Sequence, residues 1–295
     1  MTSNSTIAES GAGKPSNVDR RVIDSFGQEW QKFNHATTRE QELRSVFEGY
    51  FSIFRWEILS KDAVGFDLGC GSGRWAYFVA PRVALLHCID PSADALEVAR
   101  NKLKEFANCK FHLAAADSNP LPDGSADFGY ALGVLHHVPD TQKGINDGVR
   151  KLKEGAPFLL YLYYAFDNRP FWFRFVWRLS DILRYFICRM PFQIRLAMCE
   201  LIAAVVYWPL SRTAKVCDRL HMSVTNLPLA AYRDRSFVFM RNDALDRFGT
   251  ALEKRFTKGQ ITAMMLAAGL EGIQFSDSEP FWCAVGYKRP CRRMS

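Results

Sequence analysis

The stretch FDLGCGSGRWAYF, residues 66–78, carries the strongest structural signal in this sequence. An apolar run ends on Asp67, glycines follow at the alternate positions Gly69, Gly71 and Gly73, and a helix-like segment comes next. Glycine has no Cβ, so the chain can turn tightly there and a ligand can lie against the backbone. The stretch therefore predicts a strand, a ligand-binding loop and a helix, in that order.

Short apolar segments alternate with helical ones on both sides of this stretch. VALLHCIDPS reads as a strand and SADALEVARNKLKEF as a helix, and the alternation continues to Phe166. Continuous apolar strands that alternate with helices indicate a parallel sheet covered on both faces. Near the end, a helix with Thr257 as its N-cap precedes two segments, EGIQFSDS and FWCAVGYK, that are close enough in sequence to pair antiparallel. The fold class is α/β, with a doubly wound and mostly parallel sheet.

The pattern divides the chain into four parts. We predict a disordered tail without the basic and apolar regions of a signal peptide (1–17), a helical segment that closes the pocket (18–60), a ligand-binding domain in two pieces (61–166 and 241–289) and a helical cap (167–240).

Composition limits the classes of partner. The chain has 295 residues and a formal net charge of +7, and its Lys and Arg form no long block. This charge permits an acidic substrate or an anionic membrane surface, but it does not require nucleic acid. The eight cysteines form no C-x-x-C pair, which predicts buried thiols, no metal site and a reducing cytoplasmic location.

Two further acids indicate which ligand the glycine loop binds. Asp90 ends the second strand, where an acid can accept both hydroxyls of a ribose, and Asp117 follows the third strand, where it can accept from an adenine amino group. The third glycine comes one residue too early for a dinucleotide fingerprint, and Asp67 suits an amino group better than a pyrophosphate. These points favour an adenosine that carries an amino acid, with an NAD-dependent oxidoreductase as the alternative.

DLGCGSG resembles motif I of the class I S-adenosylmethionine (SAM)-dependent methyltransferases. CIDPS, AAADSNPLPDGSADFGYALGVLHHVPD and the closing helix and strands are similar to the rest of that fold, over residues 60–165 and 257–288. The resemblance is to the members that modify small molecules and glycans. It implies a Rossmann-like sheet of seven strands whose last strand is antiparallel, and SAM as cofactor. A non-catalytic SAM-binding module is a further alternative.

The resemblance also implies roles for individual residues. Asp67 would contact the methionine amino group, directly or through water, and Asp90 and Asp117 would hold the ribose and the adenine. The methionine part of SAM would lie against Gly69, Cys70, Gly71 and Gly73, with Gly133 beside the sulfonium. Phe26 and Trp30, in FGQEWQKF, belong to a segment that helps to close the pocket in related proteins.

The candidates for chemistry follow the fourth and fifth strands. Methyl transfer from a sulfonium is an in-line displacement, in which a general base is optional. His136 and His137 follow the fourth strand; His136 is the better candidate for a base, if one is used, and His137 the better candidate for a structural role. Tyr163 and Tyr164 end the fifth strand, and we expect one of them to face the acceptor.

The predicted cap should select the acceptor. Residues 171–187 form an amphipathic helix with arginines on one side, typical of a lid over the pocket or of a helix in a membrane interface. LIAAVVYWPL is too short to span a bilayer. Arg233, Arg235 and Arg241 could form a clamp for a carboxylate or phosphate. The predicted acceptor is a small molecule, a sugar unit or a lipid-linked compound. A nucleic-acid acceptor is not expected, because LGVLHHVPD stands where such an enzyme would need an N-P-P-Y segment. The sequence does not predict the oligomeric state.

Overall fold

A computed structural model describes residues 17–23 and 40–290, and its centre is a sheet of seven strands in the order β3-β2-β1-β4-β5-β7-β6. The strands are β1 (Val64–Leu68), β2 (Leu85–Asp90), β3 (Cys109–Leu113), β4 (Phe128–Leu132), β5 (Pro157–Tyr161), β6 (Leu270–Phe275) and β7 (Cys283–Lys288). The first five are parallel, and β7 runs antiparallel to both of its neighbours. The predicted fold class is confirmed.

Helices pack on both faces of this sheet. In chain order the helices are α1 (Glu40–Tyr50), α2 (Ala76–Val79), α3 (Ala93–Lys102), α4 (Thr141–Lys151), α5 (Phe171–Ile187), α6 (Phe192–Ile202), α7 (Trp208–Arg219), α8 (Phe237–Gly249) and α9 (Lys258–Ala267), of which α5 to α8 belong to the cap described below. Side-chain caps begin several of them. Thr257 accepts from the backbone of Gln260 and forms a full capping box with it, which confirms the predicted start of α9.

The central strand β4 shows why both faces must be covered. All five of its residues are buried, so its side chains need apolar partners above and below the sheet. Phe128 and Tyr130 join a cluster with α1 and α2 on one face. Ala131 joins Phe66 and Phe158 in a second cluster on the other face.

Helices α5 to α8 form a cap with an apolar core of its own. Ile187, Cys199, Met240 and Phe248 are buried together there. The cap continues to Gly249 and not to 240 as predicted, because α8 is one unbroken helix that packs on α5 and α6. Ser236 caps α8 by accepting from the backbone N–H of Phe239 at 3.2 Å.

Ion pairs and hydrogen bonds connect the cap to the rest of the chain. Glu253, in the segment after α8, is ion-paired with Arg247 and with Arg255, and the second of these pairs is 2.8 Å long. Arg184 of α5 donates to the backbone oxygen of Thr250 at 2.9 Å. Three separate parts of the chain thus meet in one buried network, which fixes α8 beside the sheet.

A π-helical turn (Ala203–Tyr207) joins α6 to α7, so that Phe192–Arg219 is one continuous helix of 28 residues, called the long helix below. Within the described residues it is the one helix long and apolar enough to cross a membrane, by length and composition alone. The prediction from LIAAVVYWPL missed this, because it counted ten residues of a longer helix. Side chains on one face of the long helix, such as Cys199 and Ala203, are buried in the cap's core.

Candidate active site

A cavity of about 760 Å³ lies where the cap meets the carboxyl ends of the strands. Its wall includes Gly69 and Gly71 after β1, Asp90 at the end of β2, Gly133 after β4 and Tyr161 at the end of β5. Ligands of open α/β sheets bind at this edge, where the strand order reverses. Here the reversal falls between β1 and β4. Strands β2 and β3 lie on the β1 side of this point, and β5, β7 and β6 lie on the β4 side.

Asp90 ties the glycine loop to the second strand. Its Oδ2 accepts from the backbone N–H of Gly71 and its Oδ1 from that of Ser92, both at 2.9 Å. Burial raises the pKa of its carboxyl to about 6, against the effect of these two bonds. Each carboxylate oxygen has two lone pairs, so both can also accept from a pair of ligand hydroxyls. The position fits the ribose role.

Gly133 presents bare backbone to the cavity. Its φ is +79°, and a Cβ built on it would have no atom within 4 Å, since it would project into open space. Its N–H is held by the backbone oxygen of Tyr161 at 3.2 Å. A side chain here would therefore take up room that a ligand needs, which fits the place predicted beside the sulfonium.

Three of the predicted cofactor residues do not reach the cavity wall. Gly73 packs against α3, where an added Cβ would lie 3.0 Å from Leu103. Asp117 lines a separate small pocket beside α4, with Lys143 and Arg150. Asp67 is fully buried beneath the loop, and this burial raises the pKa of its carboxyl to about 8.

The two histidines exchange the roles that the sequence suggested. His136 is completely buried and is not part of the cavity wall, and its ring stacks on Tyr163 with centroids 3.8 Å apart. Burial, with His137 and Arg255 nearby, holds the pKa of His136 well below its usual value. His137 lines the cavity instead. A proton acceptor for a bound ligand is therefore better sought in His137.

The backbone fixes the tautomer of His137. Its Nδ1 lies 2.7 Å from the carbonyl oxygen of Leu252, which can only accept, so Nδ1 carries the proton. The neutral ring then keeps its lone pair on Nε2. That atom lies 3.8 Å from Oδ1 of Asp246. Asp246 is held in turn by the Tyr163 hydroxyl, which donates to its Oδ2 at 2.7 Å.

Asp243 adds a second acid to the cavity, one turn before Asp246 on α8. The Tyr232 hydroxyl donates to its Oδ2 at 2.9 Å. Burial first, and then the charge of Asp246, raise the pKa of Asp243 to about 7. Sequence reasoning missed both acids. Their spacing in RNDALDRFG was the available signal, but it fell at the predicted border between cap and domain.

The predicted acceptor residues are only partly brought together. Tyr163 and Tyr164 both line the cavity, where one was expected, and Arg235 lines it too. Arg233 lies outside the wall and is ion-paired with Asp218 and Asp234. Arg241 also lies outside it, 3.8 Å from Glu200. The three arginines therefore form no common clamp, and the cationic side chains that sequence reasoning missed are Arg74, Arg169, Arg247 and Arg255.

The N-terminal segment reaches the cavity as expected, although Phe26 and Trp30 lie outside the described residues. Val18 and Val22 are part of the cavity wall. Asn17 holds this segment in place through two hydrogen bonds of 2.7 Å with the backbone of Asp140, the N-cap of α4.

Comparisons with known proteins agree with this geometry. The family described as "Methyltransferase domain" matches residues 66–160, from β1 to β5. Residues 66–160 therefore form a methyltransferase domain. The match favours that interpretation over the dinucleotide-binding alternative, because the glycine loop, Asp90 and Gly133 all fall inside it.

Two relatives share parts of the methyltransferase domain. An uncharacterized methyltransferase of Bacillus subtilis is 33% identical over 101 residues, which are 34% of this chain and 40% of that protein. A ubiquinone biosynthesis O-methyltransferase of Cupriavidus pinatubonensis is 30% identical over 149 residues, 48% of this chain and 59% of its own length. The matched segments thus span less than two thirds of the length of either relative.

Among solved structures, the methyltransferase fold recurs in a chain from a complex of the Haloferax volcanii Trm112 methyltransferase activator. The two share 12% sequence identity and superpose with a TM-score of 0.51, over 90% of this chain and 98% of that one. At this identity the likeness concerns the fold alone.

Proposed function

We propose that this protein transfers a methyl group from SAM to a hydroxyl group on a small acceptor with a large apolar part. One observation carries the proposal: His137 and Asp246 line the same cavity as the glycine loop and Asp90, and Nε2 of His137 lies 3.8 Å from Oδ1 of Asp246. The proposal assigns the glycine loop and Asp90 to the methyl donor and His137 to the proton acceptor beside it. A hydroxyl acceptor must lose its proton during transfer, so it benefits most from such a base.

The residues present fit SAM at the sheet edge. Gly69, Gly71 and Gly133 would lie along its methionine part and sulfonium, and Asp90 would accept from its ribose. When bound, SAM supplies an electrophilic methyl group to the reaction. The protein's own part is to hold the acceptor oxygen in line with that methyl and to keep water away.

His137 would take the acceptor's proton on Nε2. The Leu252 carbonyl holds the ring in the tautomer that leaves Nε2 unprotonated, and Asp246 would stabilise the imidazolium that forms. Tyr163 keeps the Asp246 carboxylate in position. His137 and Asp246 would thus act as an oriented histidine–carboxylate pair, in which a separate hydrogen bond fixes each side chain.

The outer part of the cavity would bind an apolar acceptor body. Phe173 and Leu183 of α5 and Val206 and Leu210 of the long helix line it. The Cupriavidus relative is named for O-methylation in ubiquinone biosynthesis, which is chemistry of this type. We infer an acceptor of the small-molecule or lipid-linked class over a free sugar, and a cytoplasmic enzyme that works at the membrane surface.

Calorimetry and a transfer assay would test the proposal. We expect SAM to bind with an affinity in the micromolar range, about −8 kcal/mol, and NADH not to bind. Transfer of labelled methyl from SAM should then be measured to hydroxylated aromatic acceptors with and without an apolar tail. Binding of NADH in place of SAM would overturn the proposal. SAM binding with no transfer to any hydroxyl acceptor would favour the non-catalytic alternative.

A further inference from the structure

Helix α5 turns its apolar side outward. Phe171, Phe175 and Phe186 are 78%, 60% and 59% exposed, and at 100° per residue they share an arc of about 140° with five more apolar side chains. Those five are Trp172, Val176, Leu179, Ile182 and Leu183, each at least 40% exposed. This is the reverse of a soluble helix, whose apolar side normally faces the core.

Polar contacts hold α5 in this orientation. Arg184 pairs with Asp181 at 2.7 Å and also reaches the backbone of Thr250, so the polar side of the helix is the one that packs on the protein. Arg247 of α8 donates to the hydroxyl of Ser180 at 3.2 Å. A rotation of α5 about its axis would break these polar contacts. The outward orientation of its apolar side is therefore fixed by the packing of the helix.

The long helix shows a second apolar face. Leu201, Val205 and Trp208 are 52%, 60% and 41% exposed, while residues on its other side, such as Cys199 and Ala203, are buried against α8. A helix with one face buried in the cap and the other exposed lies along a surface and does not cross it. We call the exposed apolar residues of α5 and of the long helix the cap face.

The cavity opens within the cap face. Val176 and Leu183 of α5 line the cavity, and so do Val206 and Leu210 of the long helix. All four are also between 40% and 48% exposed. Side chains that are both exposed and part of the wall mark a mouth, so the mouth lies between the two apolar helices.

Positive charge surrounds this face. Of the eight Arg and Lys between residues 171 and 222, four are exposed (Arg174, Arg178, Arg189 and Arg219), whereas Asp218 is the one exposed acid in this range. Arg174 and Arg178 are exposed and lie next to the apolar arc of α5. Two copies of this face would repel each other, whereas anionic lipid head groups would be attracted.

We infer that the cap face docks on an anionic bilayer, with the apolar side chains in the interface, the arginines among the head groups and the cavity mouth against the lipid. An acceptor dissolved in the membrane could then enter without crossing water. Docking does not rest on the proposed reaction, because it requires neither SAM nor an acceptor.

The experiment is flotation of the full chain with phosphatidylcholine vesicles, with and without phosphatidylglycerol, in the absence of SAM. We expect binding to the anionic vesicles that weakens with salt. The double variant Phe175→Glu/Leu179→Glu should lose at least about tenfold in partitioning, since two apolar side chains no longer enter the interface. Leu266→Glu is the matched control, because Leu266 is 43% exposed on α9, outside the cap, and should leave partitioning unchanged.

A charge reversal separates the two contributions. Arg174→Glu/Arg178→Glu should reduce the preference for anionic vesicles, and melting curves would show that each variant is folded. A wild type that stays unbound with both vesicle types would overturn the inference. So would equal binding by wild type and Phe175→Glu/Leu179→Glu. Self-association without vesicle binding, abolished by that double variant, would assign the cap face to a second copy of the chain.

Discussion

Nε2 of His137 lies 3.8 Å from Oδ1 of Asp246, and the two residues come from different parts of the fold. His137 follows β4 of the methyltransferase domain, and Asp246 lies on α8 of the cap. The cap therefore supplies half of the proposed base, in addition to covering the acceptor. The proposed pair therefore depends on the position of α8 relative to the sheet, and the buried Glu253 network constrains that position.

Replacing Asp246 tests this contribution of the cap. Asp246→Asn should lower turnover by about tenfold or more, because the imidazolium of His137 loses its counter-charge, while SAM affinity stays the same. Turnover and calorimetric SAM binding would be compared with Asp218→Asn, a substitution of an exposed acid elsewhere in the cap. Equal losses in both variants would mean that Asp246 acts through the stability of the cap alone.

Substitutions of the two histidines should affect different properties, turnover for His137 and stability for His136. His137→Gln should lower turnover by about a hundredfold or more and leave SAM affinity unchanged, because the proposed proton acceptor is lost. His136→Gln should lower the melting temperature, since it disturbs a fully buried ring stacked on Tyr163, and should leave the turnover of the folded fraction near normal. The reverse pattern would restore His136 as the base.

The sequence was sufficient wherever a signal is local. Alternating apolar segments predict the sheet, the glycine loop marks the first turn, and Thr257 marks a helix start, because each depends on neighbours a few residues away. The pairing of His137 with Asp246 depends on how a cap helix packs on a strand end, and no local sequence pattern predicts that packing. The same holds for α5, whose two faces were visible in the sequence, whereas the face that turns outward is decided by Arg184 and its partners.

Asp90 should account for a measurable part of cofactor affinity. Asp90→Ala should weaken SAM binding by about 1.5–3 kcal/mol, the usual value of hydrogen bonds to a charged group. It should also lower the melting temperature, because the N–H groups of Gly71 and Ser92 lose their acceptor. Calorimetry well below the melting point separates the two effects. Glu97→Ala, an exposed acid on the neighbouring α3, is the control, and equal affinity in all three proteins would contradict the ribose assignment.

Two glycines offer a matched test of the cofactor cavity. Gly133 and Gly155 have φ values of +79° and +76°, and a Cβ on either would meet no atom within 4 Å. Alanine at each should cost a similar roughly 1–2 kcal/mol of stability, because the backbone is left-handed in both places. Only Gly133→Ala should weaken SAM binding, since only Gly133 lines the cavity. A loss of affinity in Gly155→Ala as well would show that backbone strain is the cause.

Asp67 should make the ligand-free protein less stable as the pH rises. Burial raises the pKa of this carboxyl to about 8, whereas its pKa in the unfolded chain is about 4. Between these values the folded protein holds a proton that the unfolded chain has released, so stability falls with rising pH across that window. The carboxyls of Asp90 and Asp243, with pKa values of about 6 and 7, contribute in the same direction. The difference between wild type and Asp67→Asn isolates the part that belongs to Asp67.

We therefore expect Asp67→Asn to raise the melting temperature of the ligand-free protein more at pH 8 than at pH 5. If the amino group of SAM acts on Asp67 through a bridging water, it favours the ionised carboxyl, and saturating SAM then stabilises the wild type more than the variant. Melting curves at a series of pH values, with and without SAM, measure both effects. If the melting temperatures of wild type and variant change in parallel with pH, Asp67 has no raised pKa. If SAM stabilises both proteins equally, Asp67 does not hold the methionine amino group.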